Sequence, residues 1–273
     1  MDLQKLCEQL QFNKEVISLI REIDVEYDHI AVKPIWSKLY QEETWDEGVR
    51  QLQEYFGEDE NGFKILTCIL HCALYTYKLY FQRGISEKIF FDTMKFLPRF
   101  LEWHKQAYGH YAFVWAWWFP RQLSLREFRI GELEYELKLE GEKRQIYIHI
   151  PSDADLSQKA LFASHCGVQE FLKQFFPEYF KVAEYYCDTW LLSPNLRKLL
   201  PETSNIRHFQ DCFELLRFDE ESDAFLEWLY MRKDIPYQEL PETTSLQRDV
   251  KAYLLEGGRI GWAFGSLKAW QQD

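Results

Sequence analysis

The chain has 273 residues, of which 47% are hydrophobic and 17% aromatic, and its net charge is −12 at pH 7. A chain of this length buries a large core, in one large domain or two smaller ones. Its acidic excess repels nucleic-acid phosphates and anionic lipid headgroups, which excludes nucleic acid and membrane surfaces as expected partners.

The cysteines and the N-terminus predict a cytoplasmic protein. None of the six cysteines forms a C-x-x-C pair, which is typical of reduced thiols, and the first residues lack the pattern of a signal peptide. Cys68 and Cys72 flank His71 without an evident third ligand, so we predict core cysteines and no metal site. Residues 63–81 are apolar but interrupted by charge; we expect a buried helix, with a membrane span as the alternative.

The first 120 residues carry helical signals. Asn13 is placed to cap a helix, and the segment from Thr44 to Glu47 has the spacing of a capping box. A long apolar helix from Phe63 stops near Gly84, and Ser86 caps the next. The aromatic-rich segment 103–119 is interpreted as core, with the wall of an acceptor pocket as the alternative. Together these signals predict a helical bundle.

The hydrophobic period then changes from helical to alternating. Residues 133–139 and 146–150 each alternate apolar and polar around the turn GEKRQ, which predicts a β-hairpin. Gly131 sits where the phase slips, as at a helix end or a bulge. A helix from Asp155 or Ser157 to about Phe176 and a strand over 184–192 follow.

The remaining elements alternate in type. We predict a short helix after Thr203 or Ser204, a strand FELLRF, a helix capped by Thr244 or Ser245 and a last strand over 260–264; residues 222–231 fit either type. The predicted fold class is therefore α+β: a helical bundle over residues 1–122, then a mixed β-sheet flanked by helices over residues 123–273.

Six segments of the C-terminal half carry a family resemblance. They are WWFPRQLSLREFRIGELEYEL (117–137), HIP (149–151), FPEY (176–179), CDTWLLSP (187–194), LLPETSNIRHF (199–209) and SLQRDVKAYLLEGG (245–258). In this order they resemble a bacterial family of acyltransferases that joins an N-acyltransferase N-terminal domain to a GNAT-like C-terminal domain.

The resemblance implies an enzyme with a GNAT-type fold. The expected donor is acetyl-CoA or another acyl-CoA, and the expected acceptor is an amine on a small molecule or peptide. The sequence departs from the GNAT pattern because the glycine-rich phosphate loop between a strand and a helix is missing; the glycines at 257–265 follow a helix instead. The alternative is a GNAT-like module without catalysis that binds a ligand or a protein.

A second segment is the predicted site for the donor phosphates. Ser193 and Pro194 end a strand and begin a helix, whose first amides attract an anion. An ordinary strand-to-helix turn is the alternative. The predicted cofactor-binding residues are Trp190, Ser193, Asn195, Arg197 and Lys198.

Two residues are predicted to be catalytic. Attack of an amine on a thioester needs a base, and His149 is available in neutral form near pH 7. Asp188 lies in an apolar strand, where burial would raise the pKa of its carboxyl group. Each has a structural alternative as a side chain satisfied by hydrogen bonds. Cys187 is interpreted as an inert buried thiol, with a nucleophile as the alternative. Glu132 and Glu134 are further candidates for the base, but their neighbours indicate a solvated strand face.

Overall fold

The computed structural model describes residues 1–26 and 28–270. The chain divides into two compact units, Met1–Arg129 and Ile130–Asp273, and each is described by itself.

The first unit is helical. Helix α5 contacts α1, α2, α4, α6 and α8 and buries side chains around most of its circumference, as predicted for the centre of a bundle. In the described part of the chain, no helix is long and apolar enough to cross a membrane. The helices are α1 (Leu3–Gln9), α2 (Lys14–Glu26), α3 (His29–Leu39), α4 (Trp45–Phe56), α5 (Phe63–Arg83), α6 (Glu87–Met94), α7 (Phe96–Tyr108) and α8 (Pro120–Leu123).

The helix starts show which capping predictions hold. The Asn13 side chain accepts a hydrogen bond from the amide of Glu15, and Ser86 caps α6. The predicted capping box at Thr44 is wrong. The Thr44 hydroxyl donates to the carbonyl groups of Lys38 and Gln41, because a short 3₁₀ turn precedes α4 and brings these acceptors within reach.

The cysteine and histidine residues of α5 serve packing. The Trp36 indole N–H lies 3.2 Å from Cys68 Sγ, and Tyr40 Oη donates to the Cys72 carbonyl at 2.8 Å. His71 Nε2 lies 2.6 Å from Asp24 Oδ1. Burial raises the pKa of the Cys72 thiol, which keeps it protonated. These contacts join α2 and α3 to α5.

A mixed sheet organises residues 127–267. Within the described residues six strands form one sheet in the order β1-β2-β3-β4-β6-β5. β2 and β3 form the predicted antiparallel hairpin, β3 and β4 run parallel, and β6 runs antiparallel to both β4 and β5. The strands are β1 (Glu127–Ile130), β2 (Leu133–Glu140), β3 (Lys143–His149), β4 (Glu184–Thr189), β5 (Phe213–Asp219) and β6 (Trp262–Leu267). The predicted α+β class is confirmed.

Helices connect these strands. Residues 184–192 are a strand only as far as Thr189, because the Thr189 hydroxyl accepts from the Leu191 amide and starts a 3₁₀ turn over Trp190–Leu192. Gly131, with φ of 64°, forms the tight turn between β1 and β2. The helices are α9 (Gln158–Phe175), α10 (Pro194–Leu199), α11 (Asn205–Asp211), α12 (Phe225–Leu229) and α13 (Ser245–Leu255).

The two faces of this sheet differ in chemistry. One face carries buried apolar side chains and packs on α9, where Ser164 Oγ lies 3.0 Å from Tyr135 Oη and Gln169 donates to Tyr185 Oη. Because side chains alternate along a strand, the other face carries the positions between them. It includes Glu136, His149 and Asp188, so we call it the polar face.

Candidate active site

The parallel strands β3 and β4 separate partway along their length. Their backbone register runs from Gln145 opposite Glu184 to Tyr147 opposite Tyr186. Both strands continue, to His149 and to Thr189. The carboxyl ends of two neighbouring parallel strands are therefore parted, and such crevices are where open α/β sheets bind ligands.

His149 lies at the end of β3 and contacts a buried carboxylate. Its Nε2 is 2.9 Å from Glu136 Oε2 on the neighbouring strand. Glu136 is only 2% exposed, and its other oxygen lies 3.5 Å from Lys138 Nζ. A buried carboxylate needs such partners, and a histidine that donates from Nε2 keeps Nδ1 as its acceptor nitrogen.

Asp188 lies on the same face as His149, at the end of the adjacent strand. Extending the β3–β4 register by two residues would place the two opposite each other. Asp188 is not buried as expected: its side chain is 39% exposed. It accepts a hydrogen bond from the Trp262 indole at 2.6 Å and lies 3.8 Å from Arg217, because β6 and β5 bring these side chains to the same face.

A row of rings crosses the polar face beside the parted strands. The ring of Tyr147 lies 5.9 Å from that of Tyr186, which stacks on Phe264 at 5.3 Å and an interplanar angle of 16°. Lys138 Nζ lies 4.4 Å from the Tyr147 ring, and the Arg217 guanidinium 5.6 Å from Phe264. These five residues, one from each of β2, β3, β4, β6 and β5, are called the ring row. Its two ends are cation–π contacts.

Cys187 is on the opposite face of β4. Its thiol donates to the Ile148 carbonyl at 3.1 Å, at the first position beyond the last backbone pair. Burial raises the pKa of the Cys187 thiol, so it stays protonated and a poor nucleophile. This agrees with its interpretation as an inert thiol.

Ser193 is fully buried and uses its side chain to fix the turn into α10. Its oxygen accepts from the amides of Asn195 and Leu196 and donates to the Ile260 carbonyl. Two of the amides that would attract an anion are thus already bonded within the protein.

The other predicted cofactor-binding residues lie beside Ser193 and also have protein partners. Asn195 donates to Glu220 and to the Arg259 carbonyl, and Lys198 donates to Asn195. Arg197 lies 2.9 Å from an Asp211 carboxylate oxygen and donates to Gln210. Trp190 is buried. The four polar residues of the predicted set share one hydrogen-bonded network within the protein.

A second helix start follows β3 in the chain. α9 follows β3, and its N-cap residue Ser157 makes no side-chain bond to the helix amides because its hydroxyl donates to Asp155. Lys159 stands exposed in the first turn, while Glu132 accepts from the Asp155 amide nearby. An anion bound here would be attracted by the helix amides and Lys159 and repelled by the carboxylates of Asp155 and Glu132.

Sequence reasoning missed Glu136 and the ring row. The alternation of β2 showed Glu136 as one of several polar residues on a strand face. In the hairpin register Glu136 lies opposite Tyr147, and Glu134 lies opposite His149. This register brings the Glu136 carboxylate next to His149. The ring row had no local signal because it depends on the order of five strands.

The chain matches two protein-family models. The model of the N-acyltransferase N-terminal domain matches residues 1–125, and that of the GNAT-like C-terminal domain matches residues 99–267. No curated protein matches the chain.

Solved structures of acyltransferases share the fold. An acyltransferase variant in complex with octanoyl-CoA has a TM-score of 0.78 at 21% identity, over 97% of this chain and 86% of that chain. An acyltransferase in complex with decanoyl-CoA and teicoplanin has a TM-score of 0.70 at 19% identity, over 98% and 99%. With both family models matched in order, the chain belongs to the acyltransferase family that joins an N-acyltransferase N-terminal domain to a GNAT-like C-terminal domain.

Proposed function

We propose that this protein transfers an acyl group from acyl-CoA to an amine of a small molecule or peptide. The observation that carries the proposal is the parting of β3 and β4 beside the His149–Glu136 pair. Family membership supports it, and so do the acyl-CoA molecules in the similar acyltransferase structures.

The donor is proposed to lie between the parted strands. Strands that separate leave backbone amides and carbonyl groups without ladder partners, and an extended ligand with amide groups can bond them as an added strand does. The coenzyme arm has such amides. Its phosphates are proposed to lie at the start of α9, with Lys159 nearby. The Ser193 set remains a second, untested prediction for the phosphates.

His149 is proposed as the general base. With Nε2–H donated to Glu136, Nδ1 takes a proton from the attacking amine as its nitrogen bonds to the thioester carbon. The tetrahedral intermediate then collapses, the carbon–sulfur bond breaks, and the coenzyme leaves as a thiolate that accepts a proton. The exposed carboxylate of Asp188 is proposed to attract the ammonium form of the acceptor, which releases one proton to solvent and then attacks as the neutral amine.

The acceptor class rests on the amine chemistry and on one similar structure. That structure contains teicoplanin together with decanoyl-CoA. Small-molecule and peptide amines are therefore the first acceptors to test, with acetyl-CoA among the donors.

The test is release of free coenzyme thiol from acyl-CoA when amines are added, with the acylated product identified by mass. Wild type should release thiol in proportion to product, and His149→Ala should not. The matched control is His208→Ala, since His208 lies in α11 and not on the polar face of the sheet. Donor binding without amine-dependent release would contradict the proposal and support the non-catalytic binding module instead.

A further inference from the structure

The last backbone pair of β3 and β4 also carries two rings. Tyr147 and Tyr186 are opposite each other in the register, and their rings lie 5.9 Å apart on the polar face, the face that carries His149. Beyond this pair the strands separate, and the Ile148 carbonyl bonds the Cys187 thiol. The crevice between the strands therefore ends at Tyr147 and Tyr186, where the paired backbone and the two rings close it.

The distance from the reacting centre to these rings is short. His149 is two residues beyond Tyr147 on the same face, which is about 7 Å along a strand. In the proposed function, the thioester carbon lies within reach of His149, and the coenzyme enters where the strands are apart. An acyl chain that continues along the crevice from there reaches the two rings after a few carbon atoms.

The rings are held against displacement. Tyr186 stacks on Phe264, Lys138 and Arg217 contact the outer faces of the row, and Tyr186 Oη donates to Glu184 at 2.8 Å. The Tyr147 ring also stacks on Phe264, at a centroid distance of 6.1 Å. Neither tyrosine ring can swing aside without losing these contacts, so the row is a fixed boundary.

We propose that Tyr147 and Tyr186 set the length of the acyl chain that the donor can carry, and that this chain uses short-chain acyl-CoA in preference to octanoyl- or decanoyl-CoA. The inference rests on the proposed function and deepens it by naming the donor class. It makes these two tyrosines specificity-determining residues and assigns them no part in proton transfer.

The experiment measures the affinity of the full chain for acetyl-, butanoyl-, hexanoyl-, octanoyl- and decanoyl-CoA by titration calorimetry, so no acceptor is needed. The variants are Tyr147→Ala, Tyr186→Ala and the conservative Tyr147→Phe. The matched control is Tyr185→Ala, which removes the same side chain from β4 on the opposite face. Circular dichroism checks the fold of each variant, and the two alanine variants are independent of each other if one fails to fold.

Wild type should bind butanoyl-CoA about tenfold more tightly than decanoyl-CoA, as expected when surplus methylene groups do not fit. Tyr147→Ala and Tyr186→Ala should remove or reverse this ratio, while Tyr147→Phe and Tyr185→Ala keep it. A preference of wild type for decanoyl-CoA, or one ratio shared by all variants, would overturn the inference while leaving the proposed function intact. Failure of wild type to bind any of the five donors would overturn both.

Discussion

The proposed general base is His149, and it contacts the buried carboxylate of Glu136. A carboxylate that is 2% exposed needs charged or hydrogen-bonding partners, and His149 and Lys138 lie within reach of its two oxygens. The contact orients the imidazole ring and selects which nitrogen carries the proton, as carboxylates do for catalytic histidines elsewhere. Glu136 is thus proposed as a positioning residue for His149.

Separate substitutions of His149 and Glu136 should distinguish the role of a general base from that of a positioning residue. His149→Ala should lower kcat by about 10²-fold or more, the usual contribution of a general base, with little change in donor affinity. Glu136→Gln should lower kcat less, by about tenfold, and alter the pH dependence of kcat because the amide no longer fixes the tautomer. Steady-state kinetics across pH measures both; equal losses in Glu136→Gln and His208→Ala would contradict the assignment.

Alanine substitution of one cationic side chain in each candidate phosphate site should distinguish the two sites. Lys159→Ala should weaken CoA binding about tenfold without affecting pantetheine, which lacks the phosphates, because the lysine is exposed at the start of α9. Arg197→Ala should lower thermal stability and leave CoA affinity within about twofold, since Arg197 is bonded to Asp211 and Gln210.

Calorimetric titration with CoA and pantetheine measures these effects, and Lys173→Ala at the other end of α9 is the control. A tenfold loss of CoA affinity in Arg197→Ala alone would instead support the Ser193 set.

A buried hydroxyl of helix α9 contacts the start of the sheet. Ser164 is 2% exposed, bonds the Ile130 carbonyl, accepts from the Leu133 amide and lies 3.0 Å from Tyr135 Oη. Gly131 lies against it, and a Cβ there would stand 3.1 Å from the Ser164 backbone. This contact fixes the turn from which β2, and with it Glu136, begins.

Ser164→Ala should lower the free energy of unfolding by about 1–3 kcal/mol, because it leaves buried polar groups without a partner. Urea denaturation measures the change, with Cys166→Ala, an exposed position on the same helix, as the control. A loss no larger than that of the control would show that the hydroxyl does not hold the turn.

The same helix carries a pH-sensitive group. Burial lowers the pKa of His165 below its ordinary value of 6.5, and its Nδ1 makes no hydrogen bond within the described residues. As pH falls through about 6.5, the unfolded chain binds a proton at this position that the folded protein does not bind. The free energy of unfolding should therefore decrease as pH falls from 7 towards 5.

His165→Gln should reduce that decrease, and urea denaturation at several pH values measures it. His110→Gln, an exposed position, is the comparison. An unchanged pH dependence in His165→Gln would mean that other groups account for the acid sensitivity.

Much of the architecture was predictable from local patterns. The hairpin of β2 and β3 follows from alternation around a turn, and the helix after it from periodicity and Pro177. Thr244 caps α13 with a complete capping box. These features depend on residues that are close in sequence, so the sequence pattern predicts them without knowledge of the tertiary structure. The boundary between functional domains at residue 122 stays a prediction.

The polar face could not be predicted in the same way. β6 lies between β4 and β5 although it follows both in the chain, and this order brings Trp262 and Phe264 to Asp188 and Tyr186. The expectation that Asp188 is buried failed because apolar neighbours along a strand point to the opposite face. The end of the β3–β4 pairing likewise has no sequence signature.

The central claim is that acyl-CoA binds between the parted strands of the second unit. Hydrogen–deuterium exchange of the full chain, with and without saturating butanoyl-CoA, tests it without an acceptor. Exchange should slow in peptides that cover residues 148–160 and 187–192, and stay unchanged in α13. Saturated binding that leaves those two segments unprotected, or that protects α13 instead, would contradict the proposed site.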